Sequence, residues 1–146
     1  MTPQDSNDLA GLKILVVDDE PDARIFISMV LEDNGATTAC ACDGIEALEM
    51  ARKSHYDLMT LDLGMPGKNG VEVYHELRHD PELYNLPVCI ITGRPELRKL
   101  IYERSTAPAP EGYLDKPVEG PNLIKNIRRI IELGRRREQR ARAMAS

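Results

Sequence analysis

The stretch YDLMTLDLGMPG, Tyr56 to Gly67, decides how this chain is read. Its apolar run, Leu58 to Leu61, has the length of a short strand. One acid, Asp62, ends it, and a Gly64-Met65-Pro66-Gly67 turn follows. A buried carboxylate without a partner is costly. Asp62 is therefore expected on the rim of a sheet, with a counter-charge opposite. A plain strand-end or helix-capping aspartate is the alternative, and the flanking sequence must choose between them.

Upstream, Leu12 to Val17 is a mostly apolar run that ends in Asp18-Asp19-Glu20-Pro21. Continuous apolarity implies a strand covered on both faces, as in a parallel sheet. Pro21 suits the first turn of a helix, and Asn34-Gly35 is a good stop. The expected inward face of that helix is Ile25, Phe26, Met29 and Val30. Residues 36–42 form a weaker second strand, and Asp43 caps a helix with Ile45, Leu48 and Ala51 inward.

Downstream, a helix over 69–79 turns Val71, Tyr74 and Leu77 inward, and Leu86 to Thr92 is a fourth strand. A fourth helix over 95–105 buries Leu97, Leu100 and Ile101, and a Pro-rich loop spans 107–110. Gly112 to Asp115 is a short fifth strand before Lys116-Pro117. A last helix from Gly120-Pro121 buries Leu123, Ile127, Ile130 and Ile131. Five strand-then-helix repeats with short links predict an α/β fold, a doubly wound parallel five-stranded sheet. Residues 1–11 read as a loose lead-in, 12–133 as the domain, and 134–146 as a basic extension of the last helix or a linker.

Bulk properties agree with one soluble domain. The chain has 146 residues, 42% of them hydrophobic and 29% charged, with a net charge of −5. Nothing approaches the ~18 apolar residues of a membrane span, and the polar N-terminus lacks the apolar core of a signal peptide. A cytoplasmic location with no membrane partner is the expectation. The acidic total argues against nucleic-acid binding by this domain, although Arg135, Arg136, Arg137, Arg140 and Arg142 crowd the last turns. Of the three cysteines, Cys40 and Cys42 share a strand face. They are expected to be small buried residues rather than metal ligands. His55, His75 and His79 are scattered and read as surface side chains.

Ligands of doubly wound sheets bind at the carboxyl ends of the strands. Those ends supply Asp18 and Asp19, Asp62, Thr92 and Lys116. Three carboxylates in one crevice repel, so either their pKa values rise or a cation sits among them. An all-oxygen, shallow site suits Mg²⁺. A carboxylate beside such an ion and a lysine can attack phosphorus, and the Thr92 hydroxyl can donate to a phosphoryl oxygen.

With ILVVDDE, LMTLDLGMPGKNG, VCIITG and GYLDKP in this order, the chain resembles the response-regulator receiver domains of two-component signalling, the chemotaxis-regulator-like family. The resemblance covers about residues 12 to 133. It implies a flavodoxin-like (βα)5 sheet in the order 2-1-3-4-5 and Asp62 as phosphoacceptor. Mg²⁺ would be held by Asp19 directly, by Asp18 largely through water, by Asp62, and by the backbone carbonyl of Gly64. Thr92 would be the switch hydroxyl, Lys116 the phosphoryl contact, Tyr113 the switch aromatic, and Lys116-Pro117 a cis peptide. The implied partners are a sensor histidine kinase or phosphotransfer protein and a downstream output protein or missing output domain. A homodimer through the face of helix four, strand five and helix five is a further expectation.

Gly64 and Arg94, two past Asp62 and Thr92, depart from the common pattern and leave the phosphoryl lifetime open. The Pro-rich loop at 107–110 also departs. Two enzyme readings fit less well. A haloacid-dehalogenase-like hydrolase carries Asp-x-Asp at its first strand, whereas Asp18 and Asp19 are adjacent. A nucleotidase needs a phosphate loop, and Gly67-Lys68 is followed by Asn69. A pseudo-receiver is disfavoured because all five key positions are filled.

Overall fold

The computed structural model describes residues 7–103 and 108–145. Its strands are β1 (Lys13–Val17), β2 (Thr37–Ala41), β3 (Leu58–Leu61), β4 (Val88–Thr92) and β5 (Gly112–Asp115). They alternate with α1 (Pro21–Asp33), α2 (Gly44–Lys53), α3 (Gly70–His79), α4 (Arg98–Glu103, entered through a 3-10 turn at Pro95–Leu97) and α5 (Gly120–Ala145). All pairings are parallel and the strand order is β2-β1-β3-β4-β5. The expected flavodoxin-like (βα)5 architecture is therefore present.

Alternation along the buried strands sorts the core into two layers. Leu15, Val17, Met59, Leu61 and Ile90 face α2, α3 and α4, with Leu48, Tyr74 and Leu77. Ile14, Val16, Leu58, Cys89 and Ile91 face α1 and α5, with Ile27, Leu31, Leu123 and Ile127. Each such side chain contributes about 1.5–3 kcal/mol when fully buried. Two caps fix helix entries: Asp43 accepts from the Glu46 amide at 2.8 Å, and Asn69 from the Glu72 amide at 3.0 Å.

Several expected inward faces are corrected. In α1 the buried residues are Ile27 and Leu31, while Ile25, Phe26 and Met29 are exposed. This helix is apolar on two sides, and helical spacing alone cannot say which side meets the sheet. Ile45 lies at the start of α2 and is exposed rather than inward. Cys40 and Cys42 are exposed, not buried: Cys40 lies on the edge strand β2, which its flanking helices cover incompletely, and Cys42 lies one residue past the end of that strand; Cys89, on interior β4, is the buried thiol.

The lead-in is not loose where it is described. Leu9 is buried against the α1–α5 layer, and its amide donates to the Asn34 carbonyl at 2.8 Å. The expected helix over 95–105 opens as a 3-10 turn, and its last two residues lie outside the described ones, as does Ala107 of the Pro-rich loop. His75 is half-buried, its ring 3.0 Å from the Ile101 carbonyl. Past Gly134, α5 continues as helix to Ala145.

Arg78, which no sequence pattern singled out, is buried under the sheet's amino-terminal edge. It donates to the Tyr74 hydroxyl, to the Tyr84 and Leu86 carbonyls, and to both oxygens of Glu111. Glu111 accepts in turn from the Val88 amide at 2.8 Å. This network ties α3 to the entry of β4 and β5.

Candidate functional site

The parallel sheet aims every strand end at one rim. Backbone bonds continue past the strands there: Asp18 N–H to Ala41 at 3.2 Å, Asp62 N–H to Val17 at 3.1 Å, and Lys116 N–H to Thr92 at 2.9 Å. These ladders fix where the functional side chains emerge.

Lys116 stands at the centre. Its Nζ lies 2.8 Å from Asp18 Oδ2, 2.9 Å from Glu20 Oε1 and 3.5 Å from Asp62 Oδ2. The Asp18 contact is an ion pair without hydrogen-bond alignment. Three carboxylates against one ammonium leave an excess of negative charge, and Asp18 and Asp62 are both buried. Burial raises the Asp18 pKa above the ordinary carboxyl range, the Lys116 ammonium and the Glu20 amide pull it down, and the Asp62 charge pushes it up. Burial alone would lower the Lys116 pKa. The contacts to Asp18 and Glu20 and the Asp62 charge outweigh it, so the ammonium is held above its ordinary value.

The β1–α1 loop is itself braced. The Glu20 amide donates to Asp18 Oδ1 at 2.9 Å, and Arg24 donates to the Asp18 carbonyl at 2.7 Å. The Gly64 amide donates to Asp62 Oδ1 at 3.2 Å. Thr92 is fully buried, and its Oγ1 accepts from the Arg94 amide at 3.0 Å, which leaves its proton to donate. Lys116-Pro117 is a cis peptide. Tyr113, on β5 beside α4, is part-buried, and burial followed by its bond to Tyr102 raises its pKa.

Ligand oxygens of Asp18, Glu20 and Asp62 converge within 4.8 Å of one another. An oxygen-only set with excess negative charge fits a hard divalent ion such as Mg²⁺. Of the acids expected here, Asp18 and Asp62 belong to this triad. Asp19 lies half-buried in the same loop outside it, and Glu20, which the sequence reading passed over, is its third member. The signal for Glu20 was present: it sits two residues past Asp18, on the same loop.

Residues 14–128 match the family described as response regulator receiver domain. The chain belongs to that family. As a receiver it is 36% identical over 123 residues to chemotaxis protein CheY-3 of Vibrio cholerae, covering 84% of this chain and 93% of the relative. It is 37% identical over 122 residues to CheY of Pseudomonas aeruginosa, covering 83% and 97%. Among solved structures, V. cholerae CheY4 superposes with a TM-score of 0.74 at 31% identity, covering 83% of this receiver and 99% of that chain. A Thermotoga maritima response regulator, TrrA, solved in complex with Mg²⁺ and BeF, superposes at 0.71 with 30% identity, covering 82% and 98%. Receivers act in two-component and chemotaxis signalling as phosphoacceptor switches rather than turnover enzymes, and the acidic cluster here is compatible with Mg²⁺.

Proposed function

We propose that this receiver is a phosphorylation-controlled switch with Asp62 as its acceptor. One observation carries the reading: a single ammonium, Lys116, bridges three carboxylates from two strand ends at 2.8–3.5 Å. Asp62 attacks the donor phosphorus, the bond to the histidine nitrogen of a kinase or phosphotransfer protein breaks, and the nitrogen keeps the electron pair. Asp18, Asp19, Asp62 and the Gly64 carbonyl would hold Mg²⁺, with Glu20 beside them. The ion supplies charge neutralisation to a carboxylate nucleophile and an anionic phosphoryl group. Lys116 contacts the phosphoryl oxygens, and Thr92 donates its hydroxyl proton to one of them.

A phosphoryl group adds about −1.5 to −2 charge and strong acceptors. Drawing Thr92 toward it opens space for Tyr113. The face of α4, β5 and α5 then changes shape and controls an output partner. A shift from 1:99 to 99:1 takes about 5.5 kcal/mol of differential interaction, within reach of a few charge-assisted contacts. A cytoplasmic histidine kinase pathway is the setting this implies.

Acetyl phosphate with Mg²⁺ tests the acceptor. Phosphate-affinity electrophoresis should show a shifted, acid-stable and base-labile band for the wild type, and none for Asp62→Asn. A shift that survives in Asp62→Asn would place the chemistry elsewhere. Steady turnover of phosphate esters would make the protein an enzyme instead.

A further inference from the structure

We propose that two copies of this chain associate antiparallel, the far end of α5 in each lying along the outer face of α1 in the other. The inference is independent of the phosphoacceptor reading. It starts from the side of α1 turned away from the sheet. Ile25, Phe26 and Met29 are 58%, 43% and 56% exposed there. Asp22 precedes them and Asp33 follows on the same stripe, spaced by three or four residues along the helix. Glu32 flanks it, and the last turn of α1 has no basic residue. An apolar strip framed by acids on a helix of this size calls for a cover that is apolar and basic.

The projecting part of α5 has that chemistry. Leu133 and Met144 are 44% and 87% exposed. Arg137 and Arg140 fall between them at helical spacing, so all four share one stripe. Arg136 is engaged on its own helix with Glu132 at 3.1 Å. Residues 134–146 carry five arginines against one glutamate, net +4, so the rest of the chain, 14 basic against 23 acidic, stands at −9. A nucleic acid drawn to the helix would meet that −9 body behind it. The complementary surface of opposite sign is the body of another copy.

Geometry permits the contact twice. α1 and α5 pack side by side on one face of the sheet and both run away from the functional rim. Reversing a second copy therefore sets each projecting helix antiparallel to the other's α1. The stripe from Asp22 to Asp33 and the projection from Gly134 to Ala145 are each about 18 Å long at helical rise. Arginine stems cover apolar surface while their guanidinium groups reach the flanking acids, and a two-fold pair uses both contacts at once. This interface leaves the α4–β5–α5 face free.

Sedimentation velocity on the full chain over a wide concentration range, at low and high salt, tests the proposal. A monomer–dimer equilibrium that weakens with salt is expected. Arg137→Glu with Arg140→Glu, or Met29→Glu alone, should weaken the dimer by about tenfold or more, with circular dichroism unchanged. Adding Glu32→Arg and Asp33→Arg to the arginine reversals should restore it. A monomer at every concentration in low salt would overturn the proposal. So would a dimer indifferent to these variants but lost with Arg98→Ala, which would place the contact on the α4–β5–α5 face, and so would failure of the double reversal to rescue.

Discussion

The hydroxyls of Tyr102 and Tyr113 meet at 2.8 Å, so α4 holds the Tyr113 ring of β5 by its tip. Arg98 grips the same ring, its guanidinium carbon 4.5 Å from the ring centroid, and pairs with Asp115 at 2.8 Å. Burial first, and then the Tyr102 bond, raises the Tyr113 pKa above the ordinary tyrosine range. A raised folded-state pKa contributes stability that is complete below about pH 10 and is lost as pH rises above it. Unfolding midpoints should therefore fall above about pH 10, less steeply in Tyr113→Phe. In a spectrophotometric titration Tyr102→Phe should bring one late-titrating phenol back toward the ordinary range. An unchanged titration would mean that the hydroxyl contact does not hold the ring.

Two glycines near Asp62 should respond very differently to alanine. A Cβ at Gly70 would stand 2.0 Å from the Asp62 carbonyl oxygen, which is backbone in the site itself. One at Gly64 would meet only the flexible Arg94 stem, at 3.1 Å. Gly70→Ala should cost about 3 kcal/mol or more, beyond ordinary overpacking, and Gly64→Ala about 1 kcal/mol or less. Urea unfolding of both variants decides this. Equal costs would mean that the α3 entry relaxes freely.

The thiols offer a count. Cys40 and Cys42 are exposed and Cys89 is buried, its pKa pushed up to about 12 by burial. An aromatic disulfide reagent at neutral pH should titrate two thiols in the native protein and the third only after unfolding. Rapid reaction of all three would mean that β4 opens.

Arg78 carries the heaviest structural demand outside the site. Replacing it with alanine leaves Glu111 part-buried and uncompensated, with two carbonyls unpaired, and should cost about 3–5 kcal/mol. Arg78→Lys should recover little, because one ammonium cannot reproduce the fork that spans Glu111 and both carbonyls. A near-wild-type melting curve for either variant would show that the network adds nothing net.

The parallel sheet and its rim were legible because β1, β3 and β4 are largely apolar runs that each end in a polar residue, whereas the order of the strands came only from the family resemblance, since apolarity does not say which strand lies beside which. What could not be read was which side of a two-sided helix meets the sheet. Ile25 and Ile27 in α1 look alike by spacing, and only the packing of α1 beside α5 separates them. Cys40 and Cys42 were misjudged because alternation shows neither that β2 lies at an edge nor that it ends at Ala41, before Cys42. Glu20 went unread because an acid at the start of a helix already has an ordinary explanation in the helix dipole. Arg78 was hidden because its partners, Tyr84, Leu86 and Glu111, lie as far as 33 residues away.

The site should also be a source of instability that the metal relieves. Asp18 is 1% exposed, and burial lifts its pKa further than the Lys116 contact and the Glu20 amide lower it. A carboxyl whose folded-state pKa is raised favours the folded state while it is protonated. That contribution is present below about pH 3.9 and is lost as pH rises, so at neutral pH the charge on Asp18 works against folding. Asp18→Asn keeps an oxygen to accept the Glu20 amide and removes the charge. Without metal the variant should melt several degrees above wild type. Added Mg²⁺ should raise the wild-type Tm with concentration, as a ligand of the folded state does, and raise that of the variant much less. If the metal-free variant melts lower instead, the attraction between Lys116 and Asp18 outweighs the cost of burying that carboxylate, and the pocket is poised by its lysine rather than strained for a cation.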